Sequence, residues 1–107
     1  MTHKTEVLGQ LADTIAQRRN EGVDKSYTAK LLSQGIEKCA KKFGEEAVEL
    51  ALAAMTPDKA HITSEAADVL YHLVVLLEAA SVPITHVMSE LEKRQAMSGL
   101  AEKASRT

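Results

Sequence analysis

The sequence predicts an all-α fold, a bundle of four to five helices. Alanine, leucine, glutamate and lysine are abundant, whereas only 3% of the 107 residues are aromatic and tryptophan is absent, and this composition favours helix over strand. Apolar residues also recur every three or four positions along most of the chain, as they do on one face of a helix. We expect a single domain over residues 1–107, with a core over about residues 5–95 and a flexible tail over 96–107.

Two helices are predicted at the start of the chain. The first covers residues 6–19, where five apolar residues share one face: Val7, Leu8, Leu11, Ala12 and Ile15. Residues 20–25 form a polar loop, and either Asp24 or Ser26 caps a short second helix. Gly35 ends or kinks that helix.

A long third helix is predicted over residues 36–54, and a fourth helix ends near residue 80. Thr56 and Pro57 separate them, because a threonine hydroxyl caps free N–H groups and a proline in the first helical position loses no hydrogen bond. Residues 81–83 form the next turn, and a final amphipathic helix covers 84–94.

The fourth helix contains the most apolar stretch of the chain, residues 69–77. This stretch is far shorter than the roughly 20 apolar residues that cross a bilayer, so we expect no membrane association. A helix that is apolar nearly all round cannot face water on any side, and four short neighbours leave it incompletely covered. We therefore expect a homodimer with this helix at its centre.

Charge and cysteine content limit the functional class further. The net charge is −2 with acids and bases interspersed, so the sequence lacks the basic surface that binds nucleic acid. A single cysteine, Cys39, cannot form an intramolecular disulfide, and the first residues are polar where a signal peptide is apolar. We expect a cytoplasmic protein.

Two acidic motifs on adjacent helices are the candidate functional site. Glu46 and Glu49 lie one turn apart on the third helix, and Glu65 and Asp68 repeat this spacing on the fourth. Taken alone, the first motif also fits a solvated face that is paired with lysines. A short turn between antiparallel helices, however, brings both motifs together as a cluster of four carboxylates, which needs a cation.

Mg²⁺, or Mn²⁺ in its place, is the expected metal, because ligands that are all oxygen suit a hard ion. A di-iron bundle has a Glu-x-x-His signature on each of two helices, and neither motif contains it. His72 lies one turn after Asp68, where it can donate a hydrogen bond to that carboxylate, contact substrate or simply fill the core. His61 is expected to be exposed, and Gly44 to allow either tight helix packing or ligand access.

Three segments resemble the phosphoribosyl-ATP pyrophosphohydrolase family: residues 26–32 (SYTAKLL), 41–49 (KKFGEEAVE) and 65–73 (EAADVLYHL). The bare acidic motifs are similar to those of the wider MazG-like all-α NTP pyrophosphohydrolases. Ser81 and Cys39 depart from the family pattern, in which we expect glycine and a larger aliphatic residue. Neither position is close to the acids.

The resemblance implies hydrolysis of phosphoribosyl-ATP to phosphoribosyl-AMP and pyrophosphate, the second step of histidine biosynthesis, by a Mg²⁺-dependent dimer. It implies four metal ligands: Glu46, Glu49, Glu65 and Asp68. Glu46 and Glu45 are the catalytic candidates, with Glu45 positioning or deprotonating the attacking water. The candidates for substrate contacts are Lys30, Lys38, Lys41, Lys42 and His72. Some relatives are fused to a cyclohydrolase, and this chain, which lacks that half, is expected to act alone.

Two alternatives use the same residues differently. A house-cleaning (d)NTP pyrophosphohydrolase would keep the metal cluster and change the substrate. A non-catalytic helical interaction module would use the acids only to balance lysines, and would not bind Mg²⁺.

Overall fold

The computed structural model describes residues 4–96 and Lys103, and within them the chain forms five α-helices and no strand. The helices are α1 (Val7–Arg18), α2 (Tyr27–Ser33), α3 (Ile36–Ala53), α4 (Lys59–Ala79) and α5 (Ile84–Gln95), and a 3₁₀ turn (Lys4–Glu6) precedes α1. The predicted all-α fold is confirmed. The predicted tail lies outside the described residues, apart from Ala96 and Lys103.

Ser26 and Gly35 determine where α2 and α3 begin. Ser26 has an extended backbone, and its hydroxyl accepts a hydrogen bond from the Ala29 N–H (3.1 Å), so Ser26 rather than Asp24 is the N-cap of α2. Gly35 adopts a φ of 93°, a conformation that other residues rarely take, and separates α2 from α3.

The turn between α3 and α4 differs from the prediction in its capping. Asp58, not Thr56, is the N-cap of α4, because its Oδ1 accepts the His61 N–H at 3.0 Å. The Thr56 hydroxyl instead donates to the Ala53 carbonyl at the end of α3 (2.8 Å), and Pro57 lies before the cap rather than in the first helical turn. The short turn nevertheless folds α3 back against α4 as an antiparallel hairpin, and among the described helices this pair has the most extensive contact.

The core lies beside the C-terminal half of α4 and is formed by α1, α2, α3 and α4 together. Its buried members are Ile15, Leu31, Leu32, Cys39, Val74 and Val75. Cys39 is fully buried and its thiol donates to the Leu31 carbonyl (3.5 Å), while burial raises the pKa of the thiol. Cys39 is therefore a packing residue of the core.

Part of α4 is left uncovered by the described helices. Leu70 is 46% exposed, and it lines an apolar groove of about 640 Å³ between α1, α4 and α5. The other lining residues are Lys4, Val7, Leu8, Leu11, Ala67, Met88 and Leu91. No single described helix has the length and apolar content to span a membrane; α4 and α5 together pass that test, but they are bent by 114°.

Candidate metal centre

Three of the four predicted acidic ligands meet in the α3–α4 hairpin. Glu46 and Glu49 lie one turn apart on α3, and Glu65 faces them from α4, so that one carboxylate oxygen from each lies within 4.8 Å of the others. Glu46, Glu49 and Glu65 are called the acidic trio below. Asp68, the fourth predicted ligand, lies on α4 one turn after Glu65 and is exposed, outside the trio.

The acidic trio is electrostatically unfavourable without a cation. The pKa of Glu46 is raised, first because burial removes water from its carboxyl, and then because of the charge of Glu49, a hydrogen bond shared with Glu49 and the charge of Asp68. Lys42 opposes these effects in part. The burial and the neighbouring negative charges that raise this pKa also favour a cation among the three carboxylates.

Glu65 has an oxygen with no partner. Its side chain is 16% exposed, and its Oε2 is buried without a hydrogen bond among the described residues. The other oxygen, Oε1, lies 4.0 Å from Nδ1 of His61, which is too far for a hydrogen bond. A buried carboxylate oxygen without a donor is costly, and a metal ion coordinated by that oxygen would remove the cost.

His72 does not form the expected hydrogen bond to Asp68. Its side chain is 8% exposed, its Nε2 lies 4.0 Å from Oε1 of Glu46, and its Nδ1 has no partner in the described part of the chain. The rings of Tyr27 and Tyr71 pack edge-on against the imidazole and orient it towards α3 rather than back along α4. The pKa of His72 is lowered, first by burial and then by the charge of Lys42, so the ring is neutral at neutral pH and forms no ion pair with Glu46.

The remaining predicted site residues lie at the edge of the trio or away from it. Glu45 is about half exposed, and its Oε1 pairs with Nζ of Lys42 at 3.6 Å. Lys30, Lys38 and Lys41 are exposed, and they form no ion pair within residues 4–96.

Gly44 is explained by neither of its two expected roles. A Cβ at this position would meet no atom within 4 Å in the described structure, so tight helix packing is excluded there. Gly44 also lies two residues before Glu46, which places it on the opposite side of α3 from the trio. Nothing in the structure accounts for a glycine at this position.

Sequence reasoning missed a cavity beside the trio. It has a volume of about 350 Å³ and is lined by Glu49, Leu52, Ala53, Thr56, His61 and Glu65. His61 is about half exposed, as expected, yet it also borders two of the three clustered acids. The spacing of four residues between His61 and Glu65 already indicates in the sequence that these side chains lie on one face of α4.

Comparison with known proteins identifies one family along almost the whole chain. The model of the family described as Phosphoribosyl-ATP pyrophosphohydrolase matches residues 8–95. A protein of Dinoroseobacter shibae named Phosphoribosyl-ATP pyrophosphatase is 57% identical over 100 residues, which cover 94% of this chain and 98% of that protein. A protein of the same name from Methylobacterium radiotolerans is 59% identical over 99 residues, which cover 92% of both chains.

Proposed function

Because the chain belongs to the phosphoribosyl-ATP pyrophosphohydrolase family, we propose that it hydrolyses phosphoribosyl-ATP to phosphoribosyl-AMP and pyrophosphate, the second step of histidine biosynthesis. The chain is a hydrolase that acts on a phosphoanhydride bond. The match over residues 8–95 supports the substrate, since relatives that share more than half of its residues are named for it.

The acidic trio is the observation that carries the metal-dependent part of this proposal. Glu46, Glu49 and Glu65 offer only oxygen ligands, and this proposal is supported by the raised pKa of Glu46 and by the Glu65 oxygen that has no partner among the described residues. This donor set fits Mg²⁺, with Mn²⁺ as a substitute. Asp68 is our proposed fourth ligand, because its exposed side chain is free to turn towards the trio and its charge already affects Glu46. Bound at these residues, Mg²⁺ would neutralise charge on the triphosphate and on the leaving pyrophosphate.

Lys42 is the best supported of the proposed phosphate contacts. Its charge acts on both Glu46 and His72, so it lies beside the trio, whereas Lys30, Lys38 and Lys41 are placed only as exposed side chains. When Lys42 moves from Glu45 to a phosphate, the Glu45 carboxylate is released. We propose that Glu45 then orients the attacking water next to Glu46.

His72 is better suited to a role behind the site than to substrate contact. Because it is neutral and almost fully buried against Tyr27 and Tyr71, it can support Glu46 without adding charge. We propose that it limits the movement of the Glu46 side chain.

We also propose that the protein works as a homodimer in the cytoplasm. The apolar groove beside Leu70 is the surface that a second copy would cover, because several large apolar side chains remain in contact with water there. Sedimentation equilibrium tests this part directly, and a stable monomer at micromolar concentration would reject it.

The deciding experiment is pyrophosphate release from phosphoribosyl-ATP, measured with and without Mg²⁺. Glu46→Gln removes a trio charge, and Glu37→Gln is the matched control, since Glu37 is an exposed acid at the start of the same helix. We expect release that needs Mg²⁺, is lost in Glu46→Gln and is kept in Glu37→Gln. Release of pyrophosphate from dNTPs alone would support the metal site but overturn phosphoribosyl-ATP as the substrate. If the protein neither released pyrophosphate nor bound Mg²⁺, the proposed enzymatic activity would be overturned.

A further inference from the structure

The cavity beside the acidic trio is continuous with it, since Glu49 and Glu65 belong to both. It lies at the end of the α3–α4 hairpin where the turn joins the two helices. The other lining residues are Leu52, Ala53, Thr56 and His61. A volume of about 350 Å³ is within the range of pockets that hold small organic ligands.

The two ends of the trio differ in charge. At the end near Glu46, the charge of Lys42 affects both Glu46 and His72, and Lys42 pairs with Glu45. At the opposite end, none of the six residues that line the cavity is a lysine or an arginine. With Mg²⁺ bound by the trio, a polyphosphate would find a second cation, Lys42, at the first end, whereas no lysine or arginine lines the cavity at the second end.

We propose that the substrate lies along the α3–α4 hairpin with its phosphates towards Lys42 and its purine base in this cavity, in contact with His61. This inference rests on the proposed function, and it adds an orientation for the substrate and a residue that recognises the base.

The lining of the cavity fits a purine better than a phosphate. Leu52 is 65% exposed, so it presents an apolar surface to one face of a flat ring. The His61 imidazole, about half exposed, can stack on the base or hydrogen-bond to its edge through its ring nitrogens. His61 is free to do so, because its Nδ1 lies 4.0 Å from Glu65 and forms no hydrogen bond there.

Inhibition by two fragments of the substrate tests the orientation. AMP carries the base, the ribose and one phosphate, whereas pyrophosphate carries phosphates alone. In His61→Ala we expect the inhibition constant of AMP and the KM for phosphoribosyl-ATP to rise about fivefold or more, as for the loss of a stacking partner, with pyrophosphate inhibition unchanged. In Lys42→Gln we expect the reverse, with inhibition by pyrophosphate weakened more than inhibition by AMP, which carries a single phosphate.

Two further variants make the test specific. Leu52→Asn should weaken inhibition by AMP as His61→Ala does, because it removes the apolar side of the cavity. His86→Ala is the matched control, because His86 is an exposed histidine on α5 outside the cavity, and neither inhibition constant should change.

The outcomes separate this inference from the proposed function. Suppose that the wild-type enzyme releases pyrophosphate from phosphoribosyl-ATP. If His61→Ala then weakens inhibition by pyrophosphate rather than inhibition by AMP, or weakens neither, the orientation is wrong and the function stands. If the wild type does not act on phosphoribosyl-ATP, the function fails, and calorimetric titration with AMP still tests the cavity. If wild type and His61→Ala bound AMP equally well, the proposal that the cavity binds the base would be wrong.

Discussion

The two halves of α4 place their side chains in different environments, one acidic and one apolar. In its N-terminal half, Glu65 faces two other carboxylates and has a buried oxygen with no partner among the described residues. In its C-terminal half, Val74 and Val75 are 3% and 0% exposed and pack in a continuous apolar core with Ile15. The first half opposes folding through repulsion and desolvation, and the second half offsets that cost through burial. Substitutions in the two halves should therefore change different measurable quantities.

The largest expected effect is a loss of stability in the core that the apolar half of α4 forms with Ile15 of α1. Ile15→Ala removes most of a side chain that is 1% exposed and should lower the free energy of unfolding by about 2 to 5 kcal/mol. Urea denaturation followed by circular dichroism measures the change. Val23→Ala is the control, because Val23 is 54% exposed and lies in a loop, so its stability should change little. Equal losses in the two variants would contradict the assignment of the core.

The next effect should appear in activity and leave stability intact. Glu65→Gln removes one charge from the acidic trio, and we expect turnover to fall by about 100-fold or more, comparable to the loss of one group that stabilises developing charge. The metal-free variant should be at least as stable as the wild type, since repulsion within the trio is reduced. Unfolding of Glu65→Gln would instead show that the acids are structural. Glu92→Gln, on the exposed part of α5, should keep full activity.

A smaller effect should follow the pH. The pKa of Glu46 is raised in the folded protein, mainly by burial and then by Glu49. At a pH between the unfolded and the folded pKa of this group, the metal-free folded state therefore binds a proton that the unfolded state releases. This contribution to stability is fully present below the pKa of an unfolded glutamate, about 4.3, and is lost as the pH rises through the raised value. Melting temperatures of wild type and Glu46→Gln should therefore diverge with rising pH, with the variant the more stable.

Mg²⁺ provides the counter-test for that pH dependence. Added Mg²⁺ should stabilise the wild type more than Glu46→Gln, and more strongly at higher pH, because deprotonated carboxylates bind the ion. A difference between the two proteins that does not depend on pH would show that Glu46 is ionised normally. Thermal melting with and without Mg²⁺ decides between these results.

The sequence predicted the helices well because their pattern is local. The apolar spacing within each segment is sufficient to place α1, α3 and α5 to within a residue or two. The capping of α4 was harder, since Thr56, Pro57 and Asp58 all suit a helix start, and only the local backbone decides that Asp58 reaches the His61 amide.

The site was predicted only as far as the helical spacing allows. A separation of three residues places Glu46 beside Glu49, but the rotation of α4 against α3 decides that Glu65 joins them and Asp68 does not. The orientation of His72 depends on Tyr27, which comes from a different helix. Such contacts between helices leave no periodic signal in the sequence.

The smallest expected effect lies at the end of the apolar half. The N–H groups of Ser81 and Val82 donate to the carbonyls of Glu78 (3.1 Å) and Leu77 (2.9 Å), which is the Schellman ending of a helix, and Ser81 occupies its left-handed position with a φ of 59°. Glycine adopts this conformation without the steric cost of a Cβ, although it loses more entropy on folding. We expect Ser81→Gly to raise the free energy of unfolding by about 0.5 to 1 kcal/mol with kcat unchanged. Ser89→Gly, at an exposed position within α5, should lower it instead, since glycine destabilises a helix interior. If both variants lowered the free energy of unfolding, the conformation of Ser81 would not be strained, and glycine would not stabilise the end of α4.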